Sequence, residues 1–508
     1  MQRTFRSARR HHAKYLATYA EARPAIAALA AIALVGTSGV AAADTLEQAL
    51  VAAFAHNPSL KGSRALARAA EEGVTEAKGA FGPTLGLEAR HAYTSARIRG
   101  PTVSTQDHGF ATSAELTLSQ PLFTSGSLSA NLDAARAAEL IERERLRAAS
   151  QKLIRDVVDA YVSVQRDIAL YDVATEIHRL LEQQRDTTTA RFRLRDATEP
   201  DVDQTVNRLE LSAARVIAAR SDVETSAARY RNLVGTYPDM LAPLPALPAT
   251  PGLETLYAAA ETGNPALAAA RYTEVRSRAL IGAARARMRP QVNAFATAAR
   301  DPLTPYQNTL REESVTAGIS LTMPLYTGGQ QSAAVREEIE RNLADQQFIE
   351  QTRRDVRESL ASDWSVLQAT TEAMPRYDTA VRAAESAVEG VRQQERSGIR
   401  TLREVLEVTN DLLTAHTEAV QARAEMYLRH VAVLRDAGLL DIGMFVPTDP
   451  GDPDDRHPQH GALAGLPLRP LAEPLDRLIL QKGGAKAAVQ REEAARFAWP
   501  GDGATAKP

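Results

Sequence analysis

The spacing of apolar and polar residues along the chain changes period several times, and each change marks an element. From Asp44 to about Lys78 the sequence is Ala-rich with helical spacing, and Gly79, Gly82 and Pro83 stop it. Strict alternation follows. Thr112, Ala114, Leu116 and Leu118 fall on one side and Ser113, Glu115, Thr117 and Ser119 on the other, the period-two signature of a strand. Val315, Ala317, Ile319, Leu321 and Met323 alternate in the same way with Thr316, Gly318, Ser320 and Thr322. Partner strands are expected over about 84–97 and 291–300, so each stretch supplies one hairpin. Four strands in total cannot close a barrel.

Beyond Pro121 the period becomes helical. No Gly or Pro interrupts Ser127 to about Arg193, and apolar residues pair as Ile154/Val157, Tyr161/Val164 and Ile168/Tyr171. Leu360, Leu367, Met374, Val381 and Val388 repeat the seven-residue frame, which packs helices side by side as coiled coils. About 65 such residues give a rod of about 100 Å. Pro375 should remove one backbone bond and bend the second rod unless its neighbours hold it. A turn follows each rod, at Arg195-Asp196-Ala197 and Ser397-Gly398-Ile399-Arg400, and a second helix runs back.

The chain is a duplication. Leu46-Glu47 and Asn57-Pro58-Ser59-Leu60 recur as Leu253-Glu254 and Asn264-Pro265-Ala266-Leu267, an offset of 207 residues. From Pro121-Leu122-Phe123-Thr124 onward, matching Pro324-Leu325-Tyr326-Thr327, the offset is 203, and it carries Thr198 onto Thr401 and Gly235 onto Gly438. The first repeat is expected over 44–240: helix, hairpin about 84–120, long helix about 127–193 and returning helix about 198–235. A Pro-rich linker, 241–252, leads to the second repeat over 253–440, with hairpin about 291–323, long helix about 330–397 and returning helix about 401–438. Residues 441–508 turn to Pro, Gly and charge without periodicity and read as a mostly disordered tail.

Composition narrows the class. The 508 residues include 5% aromatics and no cysteine, which excludes disulfides, thiolate metal sites, thiol nucleophiles and cysteine-linked lipid. Arg3, Arg6, Arg9, Arg10, Lys14 and Arg23 precede an apolar run from Ala25 to Val35 that ends at Ala41-Ala42-Ala43, so residues 1–43 read as a signal peptide. The run is too short for a membrane anchor. The mature chain keeps 54 basic and 62 acidic residues, a formal charge of −8 that speaks against nucleic acid as a partner. No P-loop, dinucleotide fingerprint or nucleophile elbow is present, so no enzyme is expected. His56, His178, His416 and His430 stand alone on helices and His457 and His460 lie in the tail, so neither a metal nor another cofactor is expected.

The signal peptide, the duplicated unit, the Pro-Leu-(Phe/Tyr)-Thr-x-Gly approach at 121 and 324, and Gly398-x-x-Thr401-x-x-Glu404-Val405-Leu406 together resemble the TolC-like outer-membrane factor family over about residues 44–440. The resemblance implies a mainly α fold with a small β part. As a homotrimer it would form a twelve-stranded outer-membrane barrel continuous with a long periplasmic α-helical barrel. It implies a passive exit duct spanning from outer-membrane lipid into the periplasm of a Gram-negative cell. The duct would work with a periplasmic adaptor (membrane fusion) protein and an inner-membrane ABC transporter or other pump, and pass polypeptide or small-molecule cargo. The missing cysteine excludes the N-terminal lipid common among drug-efflux members and leans toward type I protein secretion, with multidrug efflux as the alternative. A periplasmic helical scaffold without a pore is the rival from another class.

The resemblance also carries roles to the helical tips. Gly398 matches the tip glycine, Arg400 the gating arginine, and Glu404 and Glu407 the inward-facing carboxylates of an entrance ring. Asp201 matches the acid that Arg400 of a neighbouring protomer would latch. Where some relatives carry a tyrosine bonded to that acid this chain has Glu395, a like charge expected to loosen the closed state. From the residues alone, Thr401-x-x-Glu404 and Thr198-x-x-Asp201 read first as helix-capping pairs, in preference to a gate or filter. Glu407, one turn beyond Glu404 on the same face, weakens that preference, because six carboxylates near one axis would suit cations. Capping and filtering are compatible.

Overall fold

The computed structural model describes residues 44–101 and 104–447; the expected signal peptide and nearly all of the expected tail lie outside them. In the first repeat, α1 (Leu46–His56) and α2 (Pro58–Gly79) lead into β1 (Thr84–Arg99) and β2 (Ser104–Phe123). The long α3 (Ser127–Arg193) follows, and α4 (Glu199–Val234) runs back. The second repeat gives α5 (Leu253–Gly263), α6 (Pro265–Ala286), β3 (Gln291–Thr304), β4 (Gln307–Thr322), α7 (Gln330–Arg396) and α8 (Leu402–Asp436) in the same order.

The opening helix of each repeat differs from the continuous one expected. Asn57 ends α1 and starts α2: its backbone is extended, its side chain accepts the amides of Ser59 and Leu60 at 3.0 and 3.1 Å, and Pro58 takes the first helical position. Asn264 and Pro265 break the second copy in the same way. Proline cannot donate into the preceding turn, and asparagine supplies the acceptor that the new helix start lacks. Pro375, by contrast, sits inside α7 without ending it.

The four strands form one antiparallel sheet in the order β1-β2-β3-β4, leaving β1 and β4 as unpaired edges. Register puts Leu85 opposite Leu118, Leu87 opposite Leu116, Ala296 opposite Leu118, and Ala294 opposite Ile319, so a single apolar face crosses all four strands. That face is open: Leu87, Val315, Ile319 and Leu321 are 75%, 83%, 69% and 69% exposed. The other face carries Glu88, Glu115, Thr117, Thr297, Thr316 and Ser320. At the foot of each hairpin, two consecutive residues adopt positive φ, Ser125 and Gly126 (52° and 91°) and Gly328 and Gly329 (61° and 83°), turning the chain from strand into long helix.

The long helices α3 and α7 have 67 residues each, about 100 Å. Near the sheet α3 is flanked by α2 and α6, with α6 packed on α7; further along, α3 pairs with α4, α7 with α8, and α8 with α3. The main core gathers where the short helices meet the rods: Leu50 and Phe54 of α1, Val157 and Tyr161 of α3, Tyr230 of α4 and Val431 of α8. Residues 441–447, grouped above with the tail, belong to this core. Ile442 and Val446 are 7% and 4% exposed, because Ile442, Phe445 and Val446 have the spacing of one helical turn and present one apolar side. The linker crosses α3 and α8, with Ala242 accepting from Tyr161 (2.7 Å) and Gln165 (2.6 Å), Pro245 from Tyr427 (3.2 Å) and Pro248 from the His430 ring (2.8 Å).

Candidate entrance at the helical tips

The ends of the rods farthest from the sheet are built alike. After α3, Arg195 adopts φ 64° and Asp196 donates back to the Arg191 carbonyl at 2.8 Å; after α7, Gly398 adopts φ 75° and Ile399 donates to the Gln394 carbonyl at 2.9 Å. Both are left-handed helix ends, in which one residue must take positive φ so that the following amide can reach back. Gly398 does this without strain, whereas Arg195, at the equivalent position of the first repeat, bears a cost of about 1 kcal/mol.

Each returning helix then starts on its capping pair. Asp201 Oδ2 accepts the Thr198 amide at 2.9 Å and the Thr198 hydroxyl at 2.7 Å. Glu404 Oε2 accepts the Thr401 amide at 2.8 Å and hydroxyl at 3.1 Å. These bonds hold both carboxyls below their ordinary range: the Thr198 hydroxyl and then its amide at Asp201, the Thr401 amide and then the Arg400 guanidinium at Glu404. Arg400 stays within its own tip, donating to Glu404 Oε1 at 2.7 Å and to Gln394 Oε1 at 3.2 Å. Capping is therefore present at both acids. Within one chain Arg400 and Asp201 do not meet, and Glu407 is exposed and joins no ion pair among the described residues.

Glu395 departs from its expected role. It is 4% exposed and bonded to the Arg191 guanidinium, which also donates to Asp196 Oδ2 at 2.9 Å and lowers the Asp201 carboxyl electrostatically. The like charge expected to loosen the tip is neutralised by an arginine from the other repeat. Arg191 thus ties the two tips of one chain together, and nothing in its local sequence marks it: its partner is 204 positions away. Behind this clasp Ile177, Leu181, Leu209, Val388, Leu406 and Leu412 form a small apolar core.

Between tips and sheet, all four long helices bound an open cavity of about 1060 Å³ lined by Arg166, Asp167, Asp222, Arg229, Glu418 and Glu425 among others. Leu170, Val366, Ala369 and Leu428 share the lining, so charged and apolar side chains alternate along this stretch of helical wall.

The sequence pattern of the family described as "Outer membrane efflux protein" matches residues 49–236 and 256–438, one match per repeat. Among curated relatives, outer membrane efflux protein BepC of Brucella suis biovar 1 is 28% identical over 80% of this chain and 89% of its own length. Outer membrane protein TolC of Escherichia coli (strain K12) is 24% identical over 86% and 92%. Alkaline protease secretion protein AprF of Pseudomonas aeruginosa is 27% identical over 68% and 74%. The solved structure of the Campylobacter jejuni CmeC outer membrane channel shares the fold, with a TM-score of 0.69 at 14% identity over 78% of this chain and 87% of that one. The duplicated sheet-and-rod architecture and the paired sequence match together make this chain a member of the outer membrane efflux protein family, an outer-membrane protein whose relatives are channels rather than enzymes.

Proposed function

We propose that three copies of the chain close a twelve-stranded barrel and a helical tunnel that together form the passive exit duct of a tripartite export system. The observation that carries this reading is the four-stranded sheet with two unpaired edges, one apolar face and one polar face. In lipid, unpaired edges are untenable, and edge-to-edge closure puts the apolar face against lipid and the polar face around water. A periplasmic adaptor and an inner-membrane pump, an ABC transporter in the first instance, supply recruitment and energy. At the tips, Glu404 and Glu407 of three chains form an acidic entrance ring that favours cations. Gly398 permits the turn, and Arg400 latches Asp201 of the neighbouring chain by leaving Glu404, an exchange of one exposed ion pair for another at little net cost.

Type I protein secretion is the preferred route, supported by the cysteine-free sequence and by similarity to a relative named for alkaline protease secretion. Multidrug efflux is the second reading, supported by similarity to a relative named for efflux. Planar-bilayer conductance of the purified trimer tests the duct: Arg400→Ala with Asp201→Ala is expected to raise conductance. A trimer that never conducts, in either form, leaves a helical scaffold without a pore.

A further inference from the structure

The apolar face of the sheet does not end with its leucines. Along the β1/β2 pairing the rows on that face run Leu85/Leu118, Leu87/Leu116 and Ala89/Ala114, then His91/Thr112 and Tyr93/Phe110, then Ser95/His108, Arg97/Gln106 and Arg99/Ser104. Apolar rows thus give way to an aromatic band and then to cations. The band is a packed unit: the His91 and Phe110 rings stack at 5.3 Å with 2° between their planes, and Tyr93 lies 5.1 Å from Phe110. Aromatic rows of this kind mark the depth at which hydrocarbon meets headgroups.

The second hairpin reaches the same level. Its tip lies against β2 at Gly109, where a Cβ would stand 1.9 Å from the Tyr306 carbonyl oxygen. Asn308 accepts the Thr112 amide at 2.8 Å, and Arg311 donates to the Asn308 carbonyl at 3.2 Å. Arg311 is therefore held beside the aromatic band, and on the same face as Arg97, since Pro302 opposite it follows Arg300 and Ala298 in alternation.

Charge sign segregates by face. The apolar face carries Arg97, Arg99, Arg300 and Arg311 against a single acid, Glu313, which pairs with Arg300 at 3.2 Å. The polar face carries Glu88, Asp107, Glu115, Asp301 and Glu312 against Arg90. Alternation alone would spread the signs evenly. Arg97, Arg99 and Arg311 are exposed and pair with no acid among the described residues, and Gln106 accepts from Arg97 Nε at 3.0 Å, holding the guanidinium fork in place.

We propose that Arg97, Arg99 and Arg311 form a site for phosphate-bearing lipid headgroups of the outer leaflet, with the His91/Tyr93/Phe110 band fixing the depth at which the phosphates sit. Guanidinium forks match phosphate oxygens in pairs, and cations at the edge of an apolar band attract anionic headgroups. The occupant is a lipid rather than a free anion because the cations continue a surface whose lower rows need hydrocarbon.

The test uses the full-length protein, extracted in neutral detergent and offered a bis-phosphorylated glycolipid, its dephosphorylated form, or inorganic phosphate. Bound lipid is counted by native mass spectrometry and thermal stability is read alongside. The bis-phosphorylated lipid is expected to stay bound and raise Tm, with the Arg97→Gln/Arg99→Gln/Arg311→Gln variant losing at least tenfold in retention and Arg→Lys at the same positions losing less. Equal retention by the glutamine variant, equal retention of the dephosphorylated lipid, or stabilisation by inorganic phosphate alone would each overturn the proposal. Lipid retention is read without conductance, so a failure here is separate from a failure of the duct reading.

Discussion

Replacing Arg191 by alanine leaves Glu395 as a carboxylate with 5% of its side chain exposed and no cation beside it. Removing one partner from a fully buried pair costs about 3–5 kcal/mol. Arg191 is 32% exposed, so water already screens part of the interaction, and about 2 kcal/mol is the expected loss at the tips. That loss corresponds to about thirtyfold in the local opening equilibrium. Amide hydrogen exchange reads it at Asp196 and Ile399, whose amides close the two turns on Arg191 and Gln394. Exchange at both should speed up by more than an order of magnitude in Arg191→Ala, while the core around Val157 and Tyr161 is unaffected. Glu395→Gln in the same background removes the stranded charge and should restore much of the protection. If exchange at the two turns is unchanged by Arg191→Ala, or if Glu395→Gln does not restore it, the clasp does not hold the tips and the reasoning fails.

Gly438 adopts φ 73°, and a Cβ there would lie 2.2 Å from the Gly263 carbonyl carbon, so Gly438→Ala should cost about 3 kcal/mol through strain and backbone displacement, read as a lower Tm. Asp201 and Glu404 sit below their ordinary values of 3.8 and 4.5, so their capping contribution is complete above those values and is lost as pH falls through the lower folded ones. Tip protection, corrected for intrinsic exchange rates, should therefore be flat from about pH 7 to 5 and decline on further acidification; a decline already complete at about pH 6 would point to a different group. Glu404→Gln with Glu407→Gln should cut cation preference, measured from reversal potentials, by about twofold or more. A remainder should survive, because Glu88 faces Glu115 directly across the polar side of the sheet; Glu88→Gln should remove part of it.

Much of the fold was written in local pattern. Alternation at 112–118 and 315–323 and the unbroken heptads after 127 and 330 need no distant information, since a period of two or of seven fixes which side of an element is apolar. The break at Asn57-Pro58 was missed because Ala-rich sequence reads as helix on both sides of it, although the Asn-Pro pair was visible in both repeats. Residues 441–447 were misgrouped because a single apolar turn is too short to show a period. At the tips, the capping acids and Gly398 were legible from spacing. Arg195 was not, since an arginine gives no sign that it will adopt positive φ.

The sequence by itself determined the duplication, the element types, the face of each strand that seeks an apolar medium and the chemistry available at the tips, because all of these follow from order and spacing within a few turns. Only the tertiary structure decided which charges meet. Arg191 reaches Glu395 across two repeats, and strand pairing brings Arg300 against Glu313. The physical reason is that an ion pair depends on a few ångströms between side chains, and packing sets that separation independently of distance along the chain.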